Sequence, residues 1–145
     1  IDEMRLVLDT SVMVAALRSG WGASRQLLVA ALEKRLAFLA SVPLMIEYEA
    51  VFTRPEHLQA SGLSVREMNA VLDAVAAVAE PVRLSFLWRP TLMDPDDDMV
   101  LETAMSGRAD YLVTFNEQDF DEPAAKLGCS VASPKKVLHE LRRKQ

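Results

Sequence analysis

Cysteine is nearly missing from this chain: Cys129 stands alone among 145 residues, so no intramolecular disulfide can form. Its neighbours Gly128 and Ser130 offer no metal-ligand spacing, which excludes a zinc site built on it and is consistent with a reducing cytoplasm. The thiol is expected as a small core residue. No apolar run reaches about 18 residues and no basic-then-apolar leader is present, which predicts neither a membrane span nor a secretory signal. A surplus of positive charge is lacking as well. Sixteen Lys and Arg face twenty-one Asp and Glu, for a formal charge of −5, which argues against a module that coats nucleic acid through a broad basic surface. The two histidines, His57 and His139, have no partner that sequence reveals and are expected on the surface or in packing. Internal repeats, low-complexity tracts and linkers are absent too, so residues 4–145 are expected to form one domain. Ile1-Asp2-Glu3, ahead of Met4, are set aside as a cloning remnant or a ragged native end.

What is present is apolar residue in quantity and in alternation. Half the chain is hydrophobic, enough for a core without disulfides or structural metal. Met4 to Leu8 is an apolar strand that ends at Asp9-Thr10-Ser11, a trio suited to capping a helix from Val12 to Arg18. Ser19-Gly20-Trp21-Gly22 interrupts, and Ser24 can cap a second helix from Arg25 to Lys34. Leu36 to Ala40 suits a buried second strand. Ser41 and Pro43 open a helix with Leu44, Tyr48, Val51 and Phe52 as its stripe, stopped by Arg54-Pro55. Ser64-x-x-Glu67 is a capping box for a long helix to about Ala79, closed by Pro81. Val82 to Phe86 fits a third strand. Asp94 to Asp98 form an acidic turn before a helix from Met99 to Ser106, with Gly107 as its C-cap. Tyr111 to Thr114 and Ser130 to Ala132 supply the fourth and fifth strands. Ser133-Pro134 starts a last helix that ends in Arg142, Arg143 and Lys144. Strands alternating with helices predict a three-layer α/β/α sandwich around a four- to five-stranded parallel sheet.

In such sheets functional groups gather beyond the carboxyl ends of the strands, where strand order reverses. Asp9, Glu47, the acids from Asp94 to Asp98, and Asp119 all fall on that edge. Carboxylates brought that close repel one another unless some hold a proton or a cation lies between them. A hard divalent ion is the simpler answer, and Mg2+ or Mn2+ suits oxygen ligands. Glu47 and Glu49 flank the apolar stripe on opposite edges, so helical spacing alone does not choose between them. Asp94, Asp96 and Asp98 look like the start of a calcium loop, but Met99 and Met105 stand where that loop needs Gly and a bidentate Glu. Arg18, Arg25 and Arg54, near helix ends around the proposed mouth, are candidates for phosphate contact, and Trp21 for stacking on a base or covering a partner.

The chain resembles the PIN-domain family, and within it the bacterial and archaeal branch of toxins from toxin-antitoxin pairs. The resemblance is carried by Leu6-Val7-Leu8-Asp9-Thr10-Ser11, by Ser41 with Glu47-Tyr48 six positions on, and by Arg54-Pro55. It continues through Asp94-Pro95-Asp96-Asp97-Asp98 ahead of Leu101-Glu102 and Ala104. Ala109-Asp110-Tyr111-Leu112-Val113-Thr114-Phe115-Asn116 with Asp119-Phe120 completes it. The resemblance implies a Mg2+- or Mn2+-dependent endoribonuclease with Asp9, Glu47 and Asp97 as its central acids and metal ligands. It favours Glu47 over Glu49, and it makes Thr10, Ser11 and Thr114 supporting polar positions. Many PIN domains carry a fourth acid where this chain has Asn116, and Asp119 is the residue that can stand in. By the same analogy the partners are RNA, an antitoxin protein and a second copy of the chain. The alternative is a non-catalytic PIN scaffold that binds a protein or RNA, motivated by Asn116 and the acidic balance. A phosphotransfer domain using Asp9 as nucleophile ranks last. Ser11 occupies the place of the second Asp that a dehalogenase-like phosphatase needs, and no suitable lysine follows a late strand.

Overall fold

The computed structural model describes the backbone of residues 3–84, 95–126 and 128–144, and their side chains except at 95–97, 121–123 and 125–126. Five short strands form one parallel sheet: β1 (Arg5–Leu8), β2 (Ala37–Ala40), β3 (Glu80–Pro81), β4 (Tyr111–Val113) and β5 (Val131–Ala132). Their order is β3-β2-β1-β4-β5. Leu6, Val7 and Leu8 of β1 and Phe38, Leu39 and Ala40 of β2 are all buried, as the inner strands of a sheet covered on both faces must be. Eight helices are described. Helices α1 (Thr10–Arg18), α2 (Ala23–Leu32), α3 (Val42–Phe52), α4 (Pro55–Ser61) and α5 (Val65–Val78) pack on one another, while α6 (Pro95–Ser106) lies across β1, β2 and β4 and meets α7 (Glu117–Lys126). The last helix, α8 (Pro134–Lys144), packs on α2 and β4. The expected α/β/α sandwich with a parallel sheet is what forms.

Several boundaries differ from expectation for local reasons. Helix α2 begins at Ala23 with Gly22 as its N-cap, and Ser24, expected to cap, is buried inside the first turn. Pairing at β3 is recorded at Glu80–Pro81 rather than from Val82 onward, because the chain already turns extended at Ala79, where the helix stops. Proline is tolerated there because β3 is the sheet edge. Val82 N still donates to Ala40 O at 2.9 Å, but Arg83 and Leu84 belong to no strand, and the end of the expected strand, at 85 and 86, lies outside the described residues. Asp96, Asp97 and Asp98 sit within the first turn of α6 rather than ahead of it. Helices α4 and α7 were not expected: Arg54-Pro55 ends α3 and also opens α4, with Pro55 at its first position.

Gly107 has a role other than left-handed backbone. The residue at positive φ is Arg108, at 54°, and Ala109 N donates to Ala104 O while Arg108 N donates to Met105 O, a Schellman closure of α6. Helix α2 ends the same way on Lys34, at φ 58°, with Arg35 N donating to Ala30 O and Lys34 N to Ala31 O. Gly107 is instead a close-approach position. A β-carbon there would meet Val82 Cγ2 at 2.8 Å, Leu39 Cδ1 at 3.1 Å and the Thr103 carbonyl at 3.1 Å. Gly107→Ala should therefore destabilise the protein by about 1–3 kcal/mol through overpacking. A lower urea midpoint with an unchanged slope is the expected result, and an unshifted midpoint contradicts it.

Candidate active site

Strand connections run from β1 in one direction to β2 and β3, and return on its other side through β4 to β5. The reversal leaves a crevice between β1 and β4 beyond their carboxyl ends, the usual place for a ligand in an open α/β sheet. Register puts Leu8 opposite Val113, so the next residues, Asp9 and Thr114, emerge side by side. Asp9 N donates to Val113 O at 2.9 Å, and Thr114 Oγ1 donates to Asp9 Oδ2 at 2.7 Å. The same carboxylate caps α1, accepting from Thr10 N at 2.8 Å and from Ser11 Oγ at 3.3 Å. Asp9 is only 6% exposed and Thr114 is fully buried. Thr114 is itself oriented, because its hydroxyl oxygen accepts from Asn116 N at 3.0 Å.

Helix α3 is fixed against this point from two sides. Tyr48 is fully buried, stacks on Phe38 and Phe52, and donates its hydroxyl to the Leu8 carbonyl. Burial foremost, and then the negative charge of Asp9, hold the Tyr48 phenol well above the ordinary tyrosine value of about 10. At the helix start Ser41 Oγ caps Leu44 N and lies 2.8 Å from Thr103 Oγ1. The Thr103 hydroxyl donates to Met99 O at 2.9 Å, so its one proton is committed and Ser41 is the donor between them. The helix that carries Glu47 is thereby tied to the helix whose first turn holds Asp97.

Asp9, Thr10, Ser11, Glu47 and Asn116 line a cavity of about 420 Å3, walled by Val14, Val51 and Val100. Glu49 lines a separate groove between α3 and α5, whereas Glu47 lines the cavity with Asp9. Arg54 lines the cavity too. Arg18 is exposed at the far end of α1, and Arg25 donates to the carbonyls of Ala16 and Leu17, closing the C-terminal end of that helix. Neither lines this cavity, and of the three expected arginines Arg54 alone does. Asp119 is exposed in the first turn of α7 and does not line the cavity; its backbone N donates to Asn116 O at 3.0 Å. Asp97 is in α6, with its side chain outside the described residues. His57, expected on the surface or in packing, is half-buried and lines the same cavity with Arg54, and its Nδ1 is buried without a hydrogen-bond partner among the described residues. The one signal for it was Pro55, read as a stop rather than as the start of the short helix that carries His57 inward.

Among the described residues no three His, Cys, Asp or Glu side chains gather closely enough to hold a metal. Two carboxylates, an amide oxygen and the hydroxyls beside them give the cavity oxygen donors, which a hard divalent cation prefers, and His57 adds an imidazole to its wall.

Two substitutions probe this construction. Thr114→Val keeps the shape but leaves the buried carboxylate short of a donor, and should lower stability by about 1.5–3 kcal/mol in urea unfolding; a neutral effect contradicts the role of that hydroxyl. Tyr48 titrates higher in the folded chain than in the unfolded one. Its contribution is complete below about pH 10 and is lost as pH rises from there toward the raised native value. Tyr48→Phe should flatten that alkaline decline of the unfolding midpoint, and an identical decline in both proteins contradicts the assignment.

Comparison with curated proteins finds no match. The model of the PIN domain family matches residues 5–118, a span that takes in the Asp9–Thr114 crevice, α3 and the described part of α6. By that match, which covers well over half of its length, the chain belongs to the PIN-domain family, whose members are typically nucleases.

Proposed function

We propose that the protein is a metal-dependent endoribonuclease that hydrolyses RNA phosphodiester bonds, acting as the toxin of a toxin-antitoxin pair. The observation that carries the nuclease chemistry is a buried Asp9 carboxylate, held by Thr114, that shares one cavity with Glu47 and Asn116 at the point where strand order reverses. The choice of RNA and the pairing with an antitoxin rest on the motif resemblance, and a homodimer belongs to the same reading. Asp9, Glu47 and Asp97 are the residues that would hold Mg2+ or Mn2+, with the Asn116 amide oxygen as a neutral fourth donor. Such an ion, when bound, polarises the scissile phosphate and makes water a stronger nucleophile at neutral pH. The chain's own part is positional. Thr114, Ser11 and the Thr10 amide fix the Asp9 carboxylate, Glu47 accepts a proton from the attacking water or serves as a ligand, and Arg54 at the mouth binds the phosphate.

The second reading, a non-catalytic scaffold, is favoured by one observation: the cavity holds Asn116 where a fourth acid would add charge. Cleavage of single-stranded RNA by the purified protein, with manganese and with EDTA, separates the two. The nuclease should cut with metal, stop with EDTA, and lose roughly a hundredfold or more of its rate in Asp9→Asn with its circular dichroism spectrum unchanged. Full cleavage by Asp9→Asn refutes the site. Calorimetry that detects no manganese binding to the wild-type chain favours the scaffold.

A further inference from the structure

A second concavity, of about 290 Å3, opens beyond the other end of α1, with Gly20, Arg25, Gln26, Arg35 and Arg142 among its lining residues. It joins the loop after α1 to helices α2 and α8. Helix α8 carries Lys135, Lys136, Arg142, Arg143 and Lys144 against Glu140 alone, in a chain whose formal charge is −5. Arg142 donates to the Gln26 side-chain oxygen across the α2–α8 contact, and Gln26 Nε2 donates to Trp21 O at 3.3 Å. The loop bearing Trp21 is thus anchored to the same wall. Arg25 is held by its bonds to Ala16 O and Leu17 O, and Arg35 is steadied by Glu33 at 2.8 Å. Trp21 itself is 93% exposed, an aromatic ring standing in solvent one residue after Gly20, which lines the hollow with three arginines.

Those are the two elements that hold single-stranded nucleic acid without reading its sequence: cations for the phosphates and an open aromatic face for a base. We propose that the α2–α8 arginine hollow and Trp21 form an RNA-binding site, separate from the carboxylate cavity, that grips the backbone and one base of a single strand. The inference rests on the RNA-cleaving reading and extends it. Asp9, Thr10 and Ser11 line the cavity at the first turn of α1 and Gly20 follows its last. Nine helical residues rise about 14 Å, so one strand laid along α1 reaches both. An acidic protein segment is the competing occupant, but it gives the exposed indole no base to stack on.

Binding of a fluorescent single-stranded oligoribonucleotide is measured in EDTA, where no cleavage occurs, with the full chain and two variants. Arg35→Glu/Arg142→Glu should weaken binding about tenfold or more and reduce the slope of log affinity against log salt by about 1.4, the share of two phosphate contacts on a single strand. Trp21→Ala, whose side chain is already in solvent, should weaken binding about tenfold with an unchanged melting temperature. Hydrolysis of a small phosphodiester such as bis-nitrophenyl phosphate, too short to reach α8, should be unaltered in both. Unchanged affinity and slope in the two folded variants overturn the proposal. So does binding of poly-glutamate, and not RNA, as the interaction that the variants weaken. RNA binding that the variants weaken, in a protein that cuts no RNA with any divalent cation, supports the arginine surface and removes the cleavage reading instead.

Discussion

The 2.7 Å hydrogen bond from Thr114 to Asp9 joins the two strands between which the sheet reverses its order. Removing a carboxylate from water is unfavourable by several kcal/mol unless donors replace its hydration, and Asp9 is 6% exposed. The donors come from one local stretch and one distant one: Thr10 and Ser11 by virtue of the turn into α1, and Thr114 only if β4 lies beside β1 in the observed register. A slip by one residue would turn Thr114 to the other face of the sheet. The need to satisfy one acid therefore constrains the pairing of strands more than a hundred residues apart in sequence, and it sets the acid in the wall of a cavity.

The remaining groups at that edge are placed by contacts of the same kind. Of the buried polar residues among those described, Asp9, Ser41, Thr103 and Thr114 belong to this end of the sheet, and Ser24 lies elsewhere. Ser41 and Thr103 form a directed chain of hydroxyls ending on the Met99 carbonyl. Tyr48 reaches the carbonyl of Leu8, one residue before Asp9. Glu47 precedes Tyr48, so the ring that packs into the core sets the direction of the carboxylate beside it. A polar cluster this well satisfied is rigid, and rigidity suits a site that has to hold like charges at fixed separation.

Local signals in the sequence were sufficient where the cause is local. The Ser64–Glu67 capping box, the Ser41 cap with Pro43, and the run into Asp9 each depend on neighbours within four residues, and each forms as expected. Glu47 over Glu49 needed the family motif, because both flank the same stripe and only the sheet edge distinguishes them. What was not legible has distant or non-standard causes. The αL positions at Lys34 and Arg108 carry no glycine to announce them. The need for Gly107 comes from Val82 and Leu39, on other elements. Arg25 looked like a phosphate contact at the carboxylate cavity by its place near a helix end, but its carbonyl partners on the preceding helix hold it at the other hollow. His57 depended on α4 folding back to the cavity, and no periodic stripe marks a helix of seven residues.

The formal charge of −5 argued against binding through a broad basic surface, but net charge says little about local placement at this scale. Screening at physiological salt confines a charge's influence to about 8 Å. Four of the sixteen Lys and Arg fall in two places: Arg54 lies in the carboxylate cavity, and Arg25, Arg35 and Arg142 line a hollow beyond the opposite end of α1. Separated by a helix about 14 Å long, the two groups act nearly independently in salt, so a polyanion would meet two local fields rather than the sum of the chain. The acids that outnumber them lower the total without cancelling either. The same carboxylates that make the chain acidic include Asp9 and Glu47 in the cavity, whose two charges one bound divalent cation would neutralise. Charge placement, set by helix ends and strand order, decides what such a surface can hold.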